Sequence, residues 1–184
     1  MTQTYTIPTL QTDRLTLRAP RADDFAAFSK FALSDRTDFI GGPFTIKDAN
    51  RMWGSLAGQW VLRGYGSFVA CLKDGTPVGS LGCWHPMIWP EPEFGWTLWS
   101  ANHEGKGYVT EALRTIMPWA WDVTGFTTFV SYIDASNLPS AHVARALGAT
   151  FDQAATDALN GPDSLFYDPD EEDVHVYRHV KGAA

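Results

Sequence analysis

Cysteine is scarce in this chain: 184 residues carry two, Cys71 and Cys83. Asp74-Gly75 reads as a tight hairpin turn, which sets Cys71 near Val78 on the facing strand. Cys83 then lies about 17 Å further along at the usual strand rise. Disulfide geometry needs Cα atoms within about 7 Å, so both are expected as free thiols. Neither has a partner histidine at zinc-site spacing. His85, His103, His142, His175 and His179 are scattered. His175 and His179 share a strand face, a spacing open to a metal pair or to plain packing, and no metal is expected.

Positive charge is also in short supply. Fourteen Lys and Arg stand against 21 Asp and Glu, a formal charge of −7. Nucleic-acid backbones are bound by the opposite surplus, so nucleic acid is not expected as a partner, while a cationic acceptor such as an amine suits. No apolar run approaches the ~20 residues of a membrane span. Met1-Thr2-Gln3-Thr4 lacks the basic and apolar character of a secretion signal. Cytoplasm is the expected location, with no membrane partner. The common nucleotide motifs are missing too. There is no Gly-x-x-x-x-Gly-Lys-Ser/Thr run. A dinucleotide fingerprint would need a third glycine where Thr110 stands and an acidic residue roughly 20 positions on, and Asp134 comes too late.

What is present is a globular balance, 45% hydrophobic and 19% charged. Without repeat or linker, the length fits one domain, residues 1–184. Periodicity alternates between strand and helix. Arg14 to Arg18 reads as a strand with Leu15 and Leu17 inward. A helix starts at Asp23 and Asp24, acidic residues favourable in a first turn, and runs through Phe25, Phe28, Phe31 and Ala32. Asp48 to Leu62 is a second helix along Met52, Leu56 and Trp60. Ser67–Leu72 and Pro77–Trp84 form the hairpin, and Glu93–Trp99 is the next strand. Gly107–Thr124 is a helix stopped by Gly125, with Pro118 inside it expected to bend it. Thr127–Asp134 is a strand and Leu138–Leu147 a helix. Phe151 onward and Asp173–Val180 read as the last strands, separated by an acidic loop, Asp168 to Asp173.

The most informative passage is His103-Glu104-Gly105-Lys106-Gly107-Tyr108-Val109-Thr110-Glu111-Ala112. Glycines at a strand-to-helix turn let backbone amides converge at the positive end of a helix, a seat for phosphate or pyrophosphate. In the register Glu104-Gly105-Lys106-Gly107-Tyr108-Val109 the turn resembles the acetyl-CoA pyrophosphate loop of the GNAT N-acetyltransferases, Gln/Arg-x-x-Gly-x-Gly/Ala. Gly105 through Ala112 is similar to the RimJ/RimL-like branch, the ribosomal-protein N-terminal acetyltransferases and their relatives. Leu10-Gln11-Thr12-Asp13-Arg14-Leu15-Thr16-Leu17-Arg18 resembles that branch's opening strand. Asn137-Leu138-Pro139-Ser140, ending in Ala146-Leu147-Gly148, resembles its second cofactor element.

The resemblance implies an α/β (α+β) GNAT fold: one mixed, mostly antiparallel twisted sheet of about six to seven strands with about four helices. A splayed parallel strand pair is implied at the cofactor site. It also implies acetyl-CoA as cofactor, CoA as product, and direct attack by a primary amine in a ternary complex. The acceptor is a protein N-terminus or a small molecule, and the protein a monomer or homodimer. Glu104, Gly105, Lys106, Gly107, Tyr108, Val109 and Thr110 would hold the diphosphate. The backbone of Thr97-Leu98-Trp99-Ser100 would pair with the pantetheine arm as an added strand does. Asn137 and Ser140 complete the cofactor set. Two residues depart from the pattern: Glu104 sets a carboxylate beside anionic phosphates, and Val109 adds methyls that narrow the approach.

Strand alternation puts Glu93, Gly95, Thr97 and Trp99 on one face, with Gly95 leaving room beside the Glu93 carboxylate. The resemblance implies Glu93 as catalytic base, with burial or a water relay making it competent. Many relatives carry a tyrosine acid where this chain has Ala144, so Ser140 is the candidate thiol contact and acid, a residue that also makes an ordinary helix start. His85 and His142 are alternative proton carriers or structural residues. Trp84, Trp89, Trp96 and Trp99, with Trp53 and Trp60, read either as core or as an aromatic acceptor groove. In the second reading Trp84, Trp89 and Trp53 bind the substrate ammonium by cation–π contact. A catalytically silent acyl-CoA-binding module, or a non-enzymatic interaction domain using the Trp-rich surface, is the alternative.

Overall fold

A computed structural model describes residues 6–182; Met1-Thr2-Gln3-Thr4 lies outside them. Eight strands form one sheet in the order β1-β2-β3-β4-β5-β6-β8-β7. They are β1 (Leu10–Gln11), β2 (Leu15–Arg18), β3 (Ser67–Leu72), β4 (Pro77–Trp84), β5 (Glu93–Leu98), β6 (Thr128–Asp134), β7 (Thr150–Phe151) and β8 (Val174–Val180). Five α-helices accompany them: α1 (Phe25–Ala32), α2 (Ile46–Arg63), α3 (Tyr108–Thr124), α4 (Leu138–Ala146) and α5 (Gln153–Leu159). All neighbouring strands run antiparallel except β5 and β6.

β3 is apolar on both faces because both are covered. Phe68 and Ala70 join Leu15, Leu17, Leu81 and Phe94 beneath the Val109–Leu113–Ile116–Ala120 line of α3. On the other face Val69 and Cys71 meet Phe28 and Phe31 of α1 and Ala49 of α2. At about 25 cal/mol per Å² of buried apolar surface, each fully buried Leu or Phe contributes roughly 1.5–3 kcal/mol. The two packed layers therefore dominate the stability of the central strands.

Several elements differ from expectation for local reasons. A β-bulge between Ala70 and Cys71 sets Cys71 opposite Pro77, one residue from Val78; both cysteines are buried and free. Asp24 closes the first turn of a short 3-10 segment, Ala22–Asp24, by accepting from the Arg21 amide at 2.8 Å, and it does more than that. It is buried and takes the Arg18 guanidinium at 2.7 Å through each oxygen. α2 starts at Ile46, two residues before Asp48, because the Thr45 hydroxyl accepts from the Asp48 amide at 3.2 Å. The strand expected from Phe151 onward is Thr150–Phe151 alone. Asp152 then accepts from the Ala155 amide at 3.0 Å and starts α5, a helix the sequence reading lacked. α3 runs unbroken through Pro118. The missing donor there belongs to the Arg114 carbonyl, on an exposed side where water can replace it.

Candidate active site

Among the described residues, the parallel ladder between β5 and β6 reduces to Glu93 opposite Val130, where the Val130 amide donates to the Pro92 carbonyl at 2.9 Å. Beyond that point a side chain takes over. The Ser131 hydroxyl donates to the Phe94 carbonyl at 2.7 Å and lies 3.0 Å from His179 Nε2. Because the hydroxyl's hydrogen goes to Phe94, the imidazole Nε2 must be the donor in the second contact. His179 is buried, and that burial drives its pKa down to about 4. The strands part after this tie.

The Trp99 amide donates back to Val78 at 3.0 Å, so alternation turns the Trp96 and Leu98 amides toward the gap. Of the four residues expected to pair with pantetheine, Leu98 therefore offers its amide there, while those of Thr97 and Trp99 point toward β4. The Thr97 hydroxyl bonds Ser80 at 2.9 Å. Ser100 caps the following turn by accepting from the Asn102 amide at 3.3 Å. The Trp99 ring is core, packed against Phe28 and Trp53.

The loop after β5 has the expected build. Gly105 and Gly107 sit at φ +67° and +74°, left-handed values that side chains resist. The first helical bond of α3 is Glu111 N–H to Gly107 C=O at 3.0 Å. This leaves the Tyr108, Val109 and Thr110 amides without helical partners at the positive end of α3. The Val109 side chain is buried in the core under the sheet. The loop is fixed from outside by a clasp. Glu111 accepts from the Thr12 hydroxyl at 2.5 Å, the Arg14 amide at 2.8 Å and Arg14 Nε at 2.6 Å. Arg14 also donates to the Lys106 carbonyl at 2.9 Å and lies over the Tyr108 ring. Burial alone would raise the Glu111 pKa, but the bonds from Thr12 and Arg14 hold it below the usual range. Thr12, Arg14 and Glu111 thus meet from two of the sequence segments that resembled the family.

Glu93, Thr97, Asn137 and Ser140 line one continuous cavity of about 810 Å³ that runs through the gap between β5 and β6. Glu93 is half-buried at its wall. Burial raises its carboxyl pKa to about 7, against hydrogen bonds from Trp89 and the Tyr132 backbone that favour the charged form. Trp89 Nε1 donates to Glu93 Oε2 at 2.9 Å. A Cβ at Gly95 would come within 3.4 Å of Glu93 Oε1, so the glycine does keep room beside the carboxylate. Asn137 caps α4 by accepting from the Ser140 amide at 3.2 Å, which sets the Ser140 side chain at the cavity wall.

The tryptophans divide. Trp84 and Trp89 line the cavity, but Trp53 does not; it stacks at 4.9 Å on Phe28 behind the wall. Trp89 orients Glu93 by its indole N–H and packs on Phe166. The proposed histidine carriers are elsewhere: His85 bonds the Tyr65 hydroxyl, and His142 is exposed on α4. Ala144 is buried against Ile133 and Tyr177. His175 packs on Phe151 and His179 is engaged by Ser131, so they do not act as a pair. The cavity lining holds five carboxylates, Asp38, Glu93, Asp134, Glu171 and Glu172, against the one guanidinium of Arg51.

Four contributors were not foreseen: Ser131 and His179 at the strand tie, Arg36 at the loop, and Tyr132. The Tyr132 hydroxyl is buried without a partner, and burial, then Glu91 and Glu93, keep it protonated. Alternation along β6 placed Tyr132 on the Glu93 face; the others depend on contacts distant in sequence. The open β5 edge and the free amides of α3 suit the arm and the diphosphate of coenzyme A. The buried, unpartnered His103 Nδ1 and Arg36 Nε flank the same loop.

Comparison with known proteins agrees with this geometry. The sequence profile of the acetyltransferase (GNAT) domain matches residues 14–150. An acetyltransferase from Agrobacterium tumefaciens superposes with a TM-score of 0.81 at 33% identity, covering 97% of this chain and 98% of that one. RimL, a ribosomal-protein α-N-acetyltransferase solved with coenzyme A, gives a TM-score of 0.72 at 17% identity over 96% and 100%. A ribosomal-protein-serine acetyltransferase described from Vibrio cholerae gives 0.70 at 18% over 96% and 99%. No curated protein matches the chain. A family profile across most of the length and a shared fold over nearly all of it lead to one assignment: the chain belongs to the GNAT acetyltransferases.

Proposed function

We propose that the protein transfers an acetyl group from acetyl-CoA to a primary amine in a ternary complex. The observation that carries this reading is the single cavity joining Glu93 to the gap between β5 and β6 and to Ser140. Acetyl-CoA supplies the thioester carbon that the amine attacks. The amides of Tyr108, Val109 and Thr110 would hold its diphosphate, and the Trp96 and Leu98 amides its arm and carbonyl. Glu93, with a pKa of about 7, takes the proton of the incoming ammonium directly or through water. Trp89 fixes one carboxylate oxygen and leaves Oε1 toward Gly95 and the cavity. Ser140, at the cavity wall, would donate to the departing thiolate. The excess of carboxylates in the lining favours a cationic acceptor. Protein N-termini and small-molecule amines both fit that description, and the cytoplasm is the site of action we infer for it.

Thermal unfolding with acetyl-CoA, followed by an amine and peptide library scored by CoA release and product mass, tests the reading. Ligand at 100 times its dissociation constant should stabilise the fold by about 2.7 kcal/mol. No shift at millimolar acetyl-CoA would remove the reading. A shift without thiol release on any amine would favour the silent acyl-CoA-binding module.

A further inference from the structure

Glu104 opens the loop that receives the diphosphate in this reading, and its carboxylate has the wrong sign for that neighbour. Arg36 answers it from the short turn Asp35–Ile40, between α1 and α2. Arg36 Nη2 donates to Glu104 Oε1 at 2.6 Å and to the Leu98 carbonyl at 3.0 Å. One nitrogen therefore joins three segments: the turn, the open edge of β5 and the start of the loop. The same turn supplies Asp38, Phe39 and Ile40 to the cavity wall. The Glu104 side chain is 56% exposed, so the pair adds little to folding stability. Its main effect is on local charge.

We propose that Arg36 is the positioning residue of the cofactor end. It cancels the Glu104 charge beside the diphosphate seat and tethers the wall of the acceptor cavity to that loop. The proposal rests on the acetyl-CoA reading above. Without Arg36, a bare carboxylate stands next to two phosphates and the turn loses its anchor. With both charges removed, the loop is again neutral at that position.

Titration calorimetry tests this on wild type, Arg36→Gln, Glu104→Gln and the double variant, each with acetyl-CoA and with S-acetylpantetheine, which lacks the diphosphate. Arg36→Gln should weaken acetyl-CoA about tenfold, about 1.4 kcal/mol, and change S-acetylpantetheine by no more than about twofold. The double variant should return to near wild-type affinity for acetyl-CoA. Hydrogen exchange over residues 35–41 should quicken in Arg36→Gln while its unfolding midpoint stays close to wild type. Wild-type affinity for acetyl-CoA in Arg36→Gln would overturn the proposal alone. A double variant as weak as Arg36→Gln would overturn charge cancellation, and equal loss for both ligands would reduce Arg36 to a structural part. A wild-type protein that binds neither ligand would remove the acetyl-CoA reading and the proposal with it.

Discussion

Glu93 shows how much one side chain owes to its neighbours. A carboxylate of ordinary pKa is a poor base for an ammonium, and burial brings this one to about 7. Its basic form therefore fills as pH rises through about 7, and kcat/KM should fall below that point. In the acetyl-transfer reading, Glu93→Gln should lower the rate ~10²–10⁴-fold and abolish that limb while keeping acetyl-CoA affinity. Trp89→Phe removes a hydrogen bond that favours the charged carboxylate. Its limb should move to higher pH, away from the acid side. A Trp89→Phe profile identical to wild type would show that the indole only packs. The sequence carried the position of Glu93 and the vacancy at Gly95 through strand alternation. It could not carry Trp89, because a tryptophan in a loop gives no sign of where its N–H points.

At the level of elements, α3 has the most visible local conflict. Pro118 sits mid-helix with its residue exposed, and the packed face Val109–Ala120 holds the helix together across it. Pro118→Ala should restore one backbone bond. The gain should be about 1–2 kcal/mol, since proline's restriction of the unfolded chain offsets part of the ~3 kcal/mol helix penalty. Thermal unfolding with no rise in midpoint would mean that the helix has already relaxed around the ring. The helices and central strands were legible because their apolar spacing repeats over many residues. β1 as a separate strand, the shortness of β7 and the presence of α5 were not: two-residue strands have no period, and α5 depends on Asp152, held by Arg178 at 2.6 Å. The splay of β5 from β6 was expected from resemblance alone. The tie at the point where they part, a serine hydroxyl on the Phe94 carbonyl with a histidine from β8 behind it, joins residues 37 and 48 apart in sequence.

For the whole molecule, two groups shifted by burial pull stability in opposite directions. Glu93 is raised from 4.5 to about 7, so between those values the folded chain holds the extra proton and stability falls as pH rises. His179 is lowered from 6.5 to about 4, so the unfolded chain holds the extra proton and stability rises with pH. The two slopes offset each other between about 4.5 and 6.5. Glu93→Gln should expose the His179 slope, making the protein about 2 kcal/mol more stable at pH 7 than at pH 5 relative to wild type. Urea unfolding at the two pH values measures this, and an unchanged difference would place the protons elsewhere. The clasp of Thr12 and Arg14 on Glu111 has a different consequence, one of order in time. The β3–β4–β5 meander closes through neighbours in sequence, whereas the clasp joins residues 97 and 99 apart. Contacts of that separation need a long loop to close and form slowly. The loop after β5 is therefore expected to become rigid only after the β3–β4–β5 meander has closed.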